Sequence, residues 1–153
     1  MIPVQRLNHA VLYVRDAAVA AAWYSEVLGF EVVAEMPGAA FLKAAGSDNH
    51  HDLGLFSVGA DAPGPERGRV GLYHLAWQVG SIRDLVIARN TLRDRGAYAG
   101  ESDHGATKSI YAKDPDGNEF EVMWMVPRDQ WGDHERAAVI EHLDLEAEVA
   151  RFG

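Results

Sequence analysis

Leu7-Asn8-His9-Ala10-Val11-Leu12-Tyr13-Val14 and Leu72-Tyr73-His74-Leu75-Ala76-Trp77-Gln78-Val79 are the two stretches that decide how this chain is read. Each alternates as a half-buried strand does. Each carries a histidine near its start and is followed by a helix-like segment. The second half then closes with Asp114-Pro115-Asp116-Gly117-Asn118-Glu119-Phe120-Glu121-Val122. The chain therefore reads as two similar halves. Two equivalent histidines with one carboxylate on a later strand supply what a mononuclear metal site needs if it keeps coordination positions open.

Working outward, each half shows the same order. In the first, Asp16 is placed to cap a helix over 17–28, and Gly29 stops it. Short strands follow over 30–35, 40–45 and 52–58, with Pro37-Gly38 and Gly46-Ser47-Asp48-Asn49 as turns. In the second, Ser81-Ile82-Arg83-Asp84 matches a capping box for a helix running to about Arg93, which Gly96 ends. Strands follow near Tyr98, over 108–113 and over 119–125. We expect a single domain over 1–153: module one about 6–59, a Pro/Gly-rich linker about 60–69, module two about 70–126 and a tail 127–153. In the tail, Ala137, Ala138, Ile140, Leu143 and Val149 suggest an amphipathic helix, with His134, Glu135 and His142 on the surface.

Composition narrows the class. The 153 residues suffice for one domain with a substantial core, and 48% apolar against 24% charged residues is ordinary globular composition. A net charge of −9 leaves no basic surplus for phosphate backbones, so nucleic acid is not an expected partner. There is no cysteine, so any metal must sit on His, Asp or Glu. The N-terminus lacks a signal-peptide core, and no apolar run reaches a membrane span. A cytoplasmic location is the expectation.

Two modules of βαβββ order, each opened by a histidine-bearing strand, the second closed by D-P-D-G-N-x-x-E, resemble the vicinal oxygen chelate superfamily. That superfamily includes glyoxalase I, bleomycin- and fosfomycin-resistance proteins and extradiol ring-cleaving dioxygenases. The resemblance covers Leu7 to about Val126. It implies an α+β fold in which the two modules form one metal-centred half-barrel pocket, with a C-terminal helical tail. Local features narrow it to single-domain proteins of the catechol 2,3-dioxygenase type. These are Asn49-His50-His51-Asp52-Leu53-Gly54-Leu55-Phe56, Asp103-His104-Gly105-Ala106-Thr107-Lys108-Ser109-Ile110-Tyr111, Glu121, and the tail segments Pro127-Arg128-Asp129-Gln130-Trp131 and Leu143-Asp144-Leu145-Glu146.

The resemblance implies His9, His74 and Glu121 as metal ligands. Glu119 shares a strand face with Glu121, since strand side chains alternate, but the family motif places the ligand at the second of the two. Fe(II) is the first expectation; Mn(II) or another divalent ion fits the same donors. Isolated histidines of this kind are more often hydrogen-bonded core residues, and the repeat with Glu121 is what favours the metal. Glyoxalase-like members carry a fourth ligand in module one. Turn matching puts Leu53 there, or Asp52 after a one-residue slip. His51, sharing a face with Leu53, would project into the pocket and act on protons, with His50 turned away and structural. His104 and Tyr111 would stand beside the metal and hydrogen-bond a bound phenolate. Trp77, Phe56 and Met123 are candidates for apolar walls.

The implied activity is extradiol-type cleavage of a catechol-like vicinal diol with dioxygen, as in aromatic catabolism. The alternatives are a glyoxalase- or epimerase-like enzyme using the metal as a Lewis acid, and a metal-free protein that binds a drug or metabolite. Family members often dimerise, and a homodimer is compatible with the extra tail.

Overall fold

Asp16 starts the first helix in the way its side chain allows. Its backbone is extended, and its carboxylate accepts from the N–H groups of Ala18 and Val19 at 2.9 and 3.1 Å. The helix α1 (Ala17–Leu28) ends at Gly29, whose φ of +69° closes it with an N–H donated to Ser25 O. In the computed structural model, which describes residues 1–153, this helix belongs to the first of two compact units, Met1–Gly64 and Pro65–Gly153.

In the first unit the strands are β1 (Ala10–Val14), β2 (Glu31–Met36), β3 (Ala39–Lys43) and β4 (Leu53–Ser57), in sheet order β1-β4-β3-β2. β1 runs parallel to β4, and the other pairs are antiparallel. The alanines of α1 let it lie close to the sheet. Ala17, Ala20, Ala21 and Tyr24 are buried with Leu12, Val14, Leu42, Leu53 and Leu55. Each fully buried Leu or Val here contributes about 1.5–3 kcal/mol of transfer free energy. The other sheet face carries Val11, Tyr13 and Phe56, all exposed.

The second unit repeats the arrangement with β5 (Leu75–Gln78), α2 (Ile82–Asp94), β6 (Tyr98–Asp103), β7 (Thr107–Lys113) and β8 (Glu119–Met125), in order β5-β8-β7-β6. Ser81 Oγ accepts from Asp84 N and donates to the Asp84 carboxylate, which starts α2. The turn into β8 is built on buried Asp114, which accepts from Asp116 N, Asn118 N and Asn118 Nδ2, each at 2.9 Å. Gly117, at φ +91°, completes it.

The tail departs from the expectation. Residues 137–143 are not helical. The helix is α3 (Leu145–Phe152), shorter and later, started by Asp144 accepting from Ala147 N at 2.9 Å. Tertiary bonds explain the difference: Asp103 and Glu141 exchange both backbone hydrogen bonds, at 3.0 and 2.9 Å, which holds that segment extended. Arg89–Glu146 at 2.6 Å and Lys108–Glu148 at 3.4 Å tie α3 to α2 and β7. No helix is long and apolar enough to cross a membrane.

Candidate active site

In the second unit His74 lies just before β5, and Glu121 is on β8, which pairs with β5. This brings His74 Nε2 to 3.1 Å from Glu121 Oε2. Glu121 is 8% exposed, and Ser109 Oγ donates to its other oxygen. Tyr111 pairs with Glu121 across β7 and β8, so both side chains share a face, and the Tyr111 ring is 5.7 Å from that of His74. His104, in the turn before β7, meets the Tyr111 hydroxyl with Nε2 at 2.7 Å. Burial pushes the Tyr111 phenol above its ordinary range and the charge of Glu121 adds to it, while Ser109 works the other way. The group stays a phenol at neutral pH.

In the first unit His9 lies just before β1. Asn8 Oδ1 is 2.8 Å from His9 Nδ1. A carboxamide oxygen accepts only, so Nδ1 carries a proton, and in the neutral ring Nε2 then has the lone pair. The His51 ring lies 4.5 Å from His9 and 5.2 Å from Phe41. Burial holds His51 below the ordinary histidine value, repulsion from His9 and His50 adds to this, and Asp52 opposes it. His51 is therefore a neutral proton acceptor at neutral pH.

The model of the glyoxalase/bleomycin resistance protein/dioxygenase superfamily matches residues 6–122. The chain belongs to this superfamily. Biphenyl-2,3-diol 1,2-dioxygenase 3 of Rhodococcus globerulus is 36% identical over 125 residues, which is 80% of this chain and 65% of the relative. Catechol-2,3-dioxygenase of Bacillus subtilis is 32% identical over 126 residues, 82% of this chain and 43% of the relative. The chain thus spans less than two thirds of either curated relative. The solved glyoxylase/bleomycin resistance protein/dioxygenase domain from Frankia sp. EAN1pec matches with a TM-score of 0.65 at 22% identity, over 80% of this chain and 99% of that one, a likeness of fold.

Several expectations for this superfamily member change in the structure. The counterpart of Glu121 in the first unit is Gly54, neither Leu53 nor Asp52. Val11 pairs with Gly54 as Ala76 pairs with Glu121, and Phe41 faces Gly54 as Tyr111 faces Glu121. The turn between β3 and β4 is longer than its counterpart, which shifts the match made from turn residues alone. Asp52 is already engaged: it accepts from Ser47 Oγ at 2.7 Å, Asn49 Nδ2 at 2.8 Å and Ala44 N at 2.9 Å. His50 and His51 precede β4 instead of lying in it, so strand alternation does not separate them, and their Nδ1 atoms are 3.0 Å apart. Trp77 pairs with Val122 and so faces away from Glu121, whereas Met123 lies on the Glu121 face. Phe56 shares the Gly54 face.

The donor set fits a divalent metal in its chemistry. Two ligands at right angles on an ion about 2.1 Å from each stand about 3.0 Å apart. The His74–Glu121 pair, at 3.1 Å, stands close to that spacing, which is also the distance of a direct hydrogen bond between the two. His74 Nδ1 is buried with no hydrogen-bond partner, in contrast to His9 Nδ1 on Asn8. Within either unit no three His, Asp or Glu side chains converge as a metal-holding group. Sequence reasoning missed Asn8 and Ser109. The first directly precedes a ligand candidate, and the second stands two residues before Tyr111 on the same strand face, which is the signal that would have found it.

Proposed function

We propose that this chain is a metal-dependent extradiol-type dioxygenase acting on a catechol-like vicinal diol with dioxygen. The observation that supports it most is the His74–Glu121 pair at 3.1 Å with the Tyr111–His104 hydrogen bond beside it. The ligands would be His9, His74 and Glu121, with Fe(II) first and Mn(II) or another divalent ion second. When bound, the metal supplies Lewis-acid polarisation of the diol oxygens and the one-electron chemistry that dioxygen requires.

The chain's own residues do the rest. Asn8 keeps His9 Nε2 free of a proton and ready to ligate. Ser109 holds one Glu121 oxygen and leaves the other for the shared site. Tyr111 and His104 orient a phenolic oxygen by hydrogen bonding. His51 Nδ1 or Nε2 accepts a proton from the diol and returns it to the oxygenated product. In balance, one ring carbon–carbon bond next to the diol breaks, and both atoms of dioxygen enter the product. A glyoxalase-like reading needs a fourth protein ligand, and Gly54 has no side chain to give one.

Metal analysis tests this reading. Protein purified without oxygen should bind about one divalent ion per chain, and His9→Ala or Glu121→Ala should empty the site. With Fe(II) loaded, oxygen uptake should follow added substituted catechols. Unchanged metal content in both variants overturns the ligand set. Catechol binding without oxygen uptake points to the binding protein, and oxygen-independent turnover of a thiol adduct points to the Lewis-acid enzyme.

A further inference from the structure

The ring of His104 is held from both sides, and the second partner comes from the C-terminal tail. Its Nε2 meets the Tyr111 hydroxyl at 2.7 Å, and its Nδ1 meets the carbonyl oxygen of Val139 at 2.8 Å. A carbonyl can only accept, so Nδ1 carries the proton. In the neutral ring Nε2 then has only a lone pair, and Tyr111 must donate its O–H to it. That is the tautomer a histidine in water disfavours, so something must select it.

The tail is built to keep Val139 in place. Asp103 and Glu141 bond each other's backbone in both directions. Gly105, at φ +75°, lies under the ring of His134, where an added Cβ would come within 2.4 Å of that ring. Leu143 and Leu145 anchor the following residues, at 2% and 0% exposure. The turn that carries His104 is thus gripped at three successive residues, Asp103, His104 and Gly105.

We propose that the tail is a positioning element of the site: Val139 O fixes His104 as the Nδ1–H tautomer, which makes the Tyr111 oxygen a hydrogen-bond acceptor toward any ligand beside His74. Tyr111 has one proton, and His104 takes it up in the hydrogen bond. A ligand reaching the Tyr111 oxygen must bring its own O–H. The site therefore favours a ring hydroxyl over an ether or an already ionised oxygen at that position, in place of the bound phenolate that the family resemblance implied there. The consequence for turnover rests on the dioxygenase reading; the tautomer does not.

Nitrogen NMR of the full chain with ¹⁵N-labelled histidine tests it, with the His104→Gln protein giving the assignment. In metal-free protein above pH 7 we expect His104 to show a protonated Nδ1 and a bare Nε2. Tyr111→Phe should leave that pattern unchanged, because the tail sets it. Glu141→Pro removes the N–H given to Asp103 and should shift His104 toward Nε2–H, with the circular-dichroism spectrum retained. In a turnover assay the same variant should raise KM for a catechol severalfold more than it lowers kcat. An Nε2–H signal in the wild-type protein overturns the proposal, as does a reversal of tautomer in Tyr111→Phe. If no diol is turned over, the NMR result still decides the tautomer, so the two readings fail separately.

Discussion

Asp52→Asn is a change of one atom type that separates hydrogen bonding from charge in the loop before β4. The native carboxylate accepts three hydrogen bonds, from Ser47, Asn49 and the Ala44 N–H. An asparagine oxygen can keep the first two, which share Oδ1, but its amide would point a donor at the Ala44 N–H. One charge-assisted bond is lost and a donor–donor contact replaces it, for a cost of about 1–2 kcal/mol at a half-exposed site. Asp52→Ala loses all three and should cost about 2–3 kcal/mol. Burial alone would raise the Asp52 carboxyl; the hydrogen bonds and the charge of His51 reverse that and hold it below 3.8. The folded value is thus depressed, so the stabilisation is present above the unfolded value and lost as pH falls through the folded one. Urea unfolding at pH 7 and at a series of pH values down to 3 measures this. The wild-type advantage over Asp52→Asn should hold from pH 7 to about 5 and shrink below 4. A stability gap that grows on acidification, or one under 0.3 kcal/mol at pH 7 (roughly the size of ordinary surface effects), would refute the reasoning.

Asn8→Ala removes the acceptor that keeps His9 Nδ1 protonated. It should weaken metal affinity about 10-fold, read by competition with a chelating dye, without moving the unfolding midpoint. His51→Ala should keep metal and thermal stability and lose about 10²–10⁴ in rate. Since His51 is held below 6.5 by burial and by its histidine neighbours, the acid limb of wild-type kcat/KM should lie below that value and vanish in the variant. A pH–rate profile with a verified substrate checks both points.

The residues that carry local signals were readable in advance. Asp16 and Gly29 bound α1 as capping chemistry requires, and Ser81 starts α2. Asp114–Asn118 makes the turn its composition predicts, and β8 runs Glu119–Met125 as expected. What went astray was decided by distant partners. Gly54 takes the place of a fourth ligand because strand pairing, which turn residues do not encode, sets the register. The segment 137–143 has a helical pattern, yet the backbone of Asp103 and the ring of His104 hold it extended by bonds to the main chain of Glu141 and Val139, which no side-chain pattern reveals. His134 has an exposed ring by composition and by structure, but that ring still covers Gly105. The family resemblance implied that His104 and Tyr111 both stand beside the metal, whereas their hydrogen bond to each other came from the structure and the tautomer needed the carbonyl of Val139.

Labelled dioxygen tests the central claim most directly. Fe(II)-loaded protein is given a substituted catechol under ¹⁸O₂, and the ring-opened product is weighed by mass spectrometry, with Glu121→Ala as control. Both oxygen atoms of one O₂ should appear in each product molecule, and the control should form none. Product that carries no label from the gas, or the same labelled product from Glu121→Ala, would contradict the account.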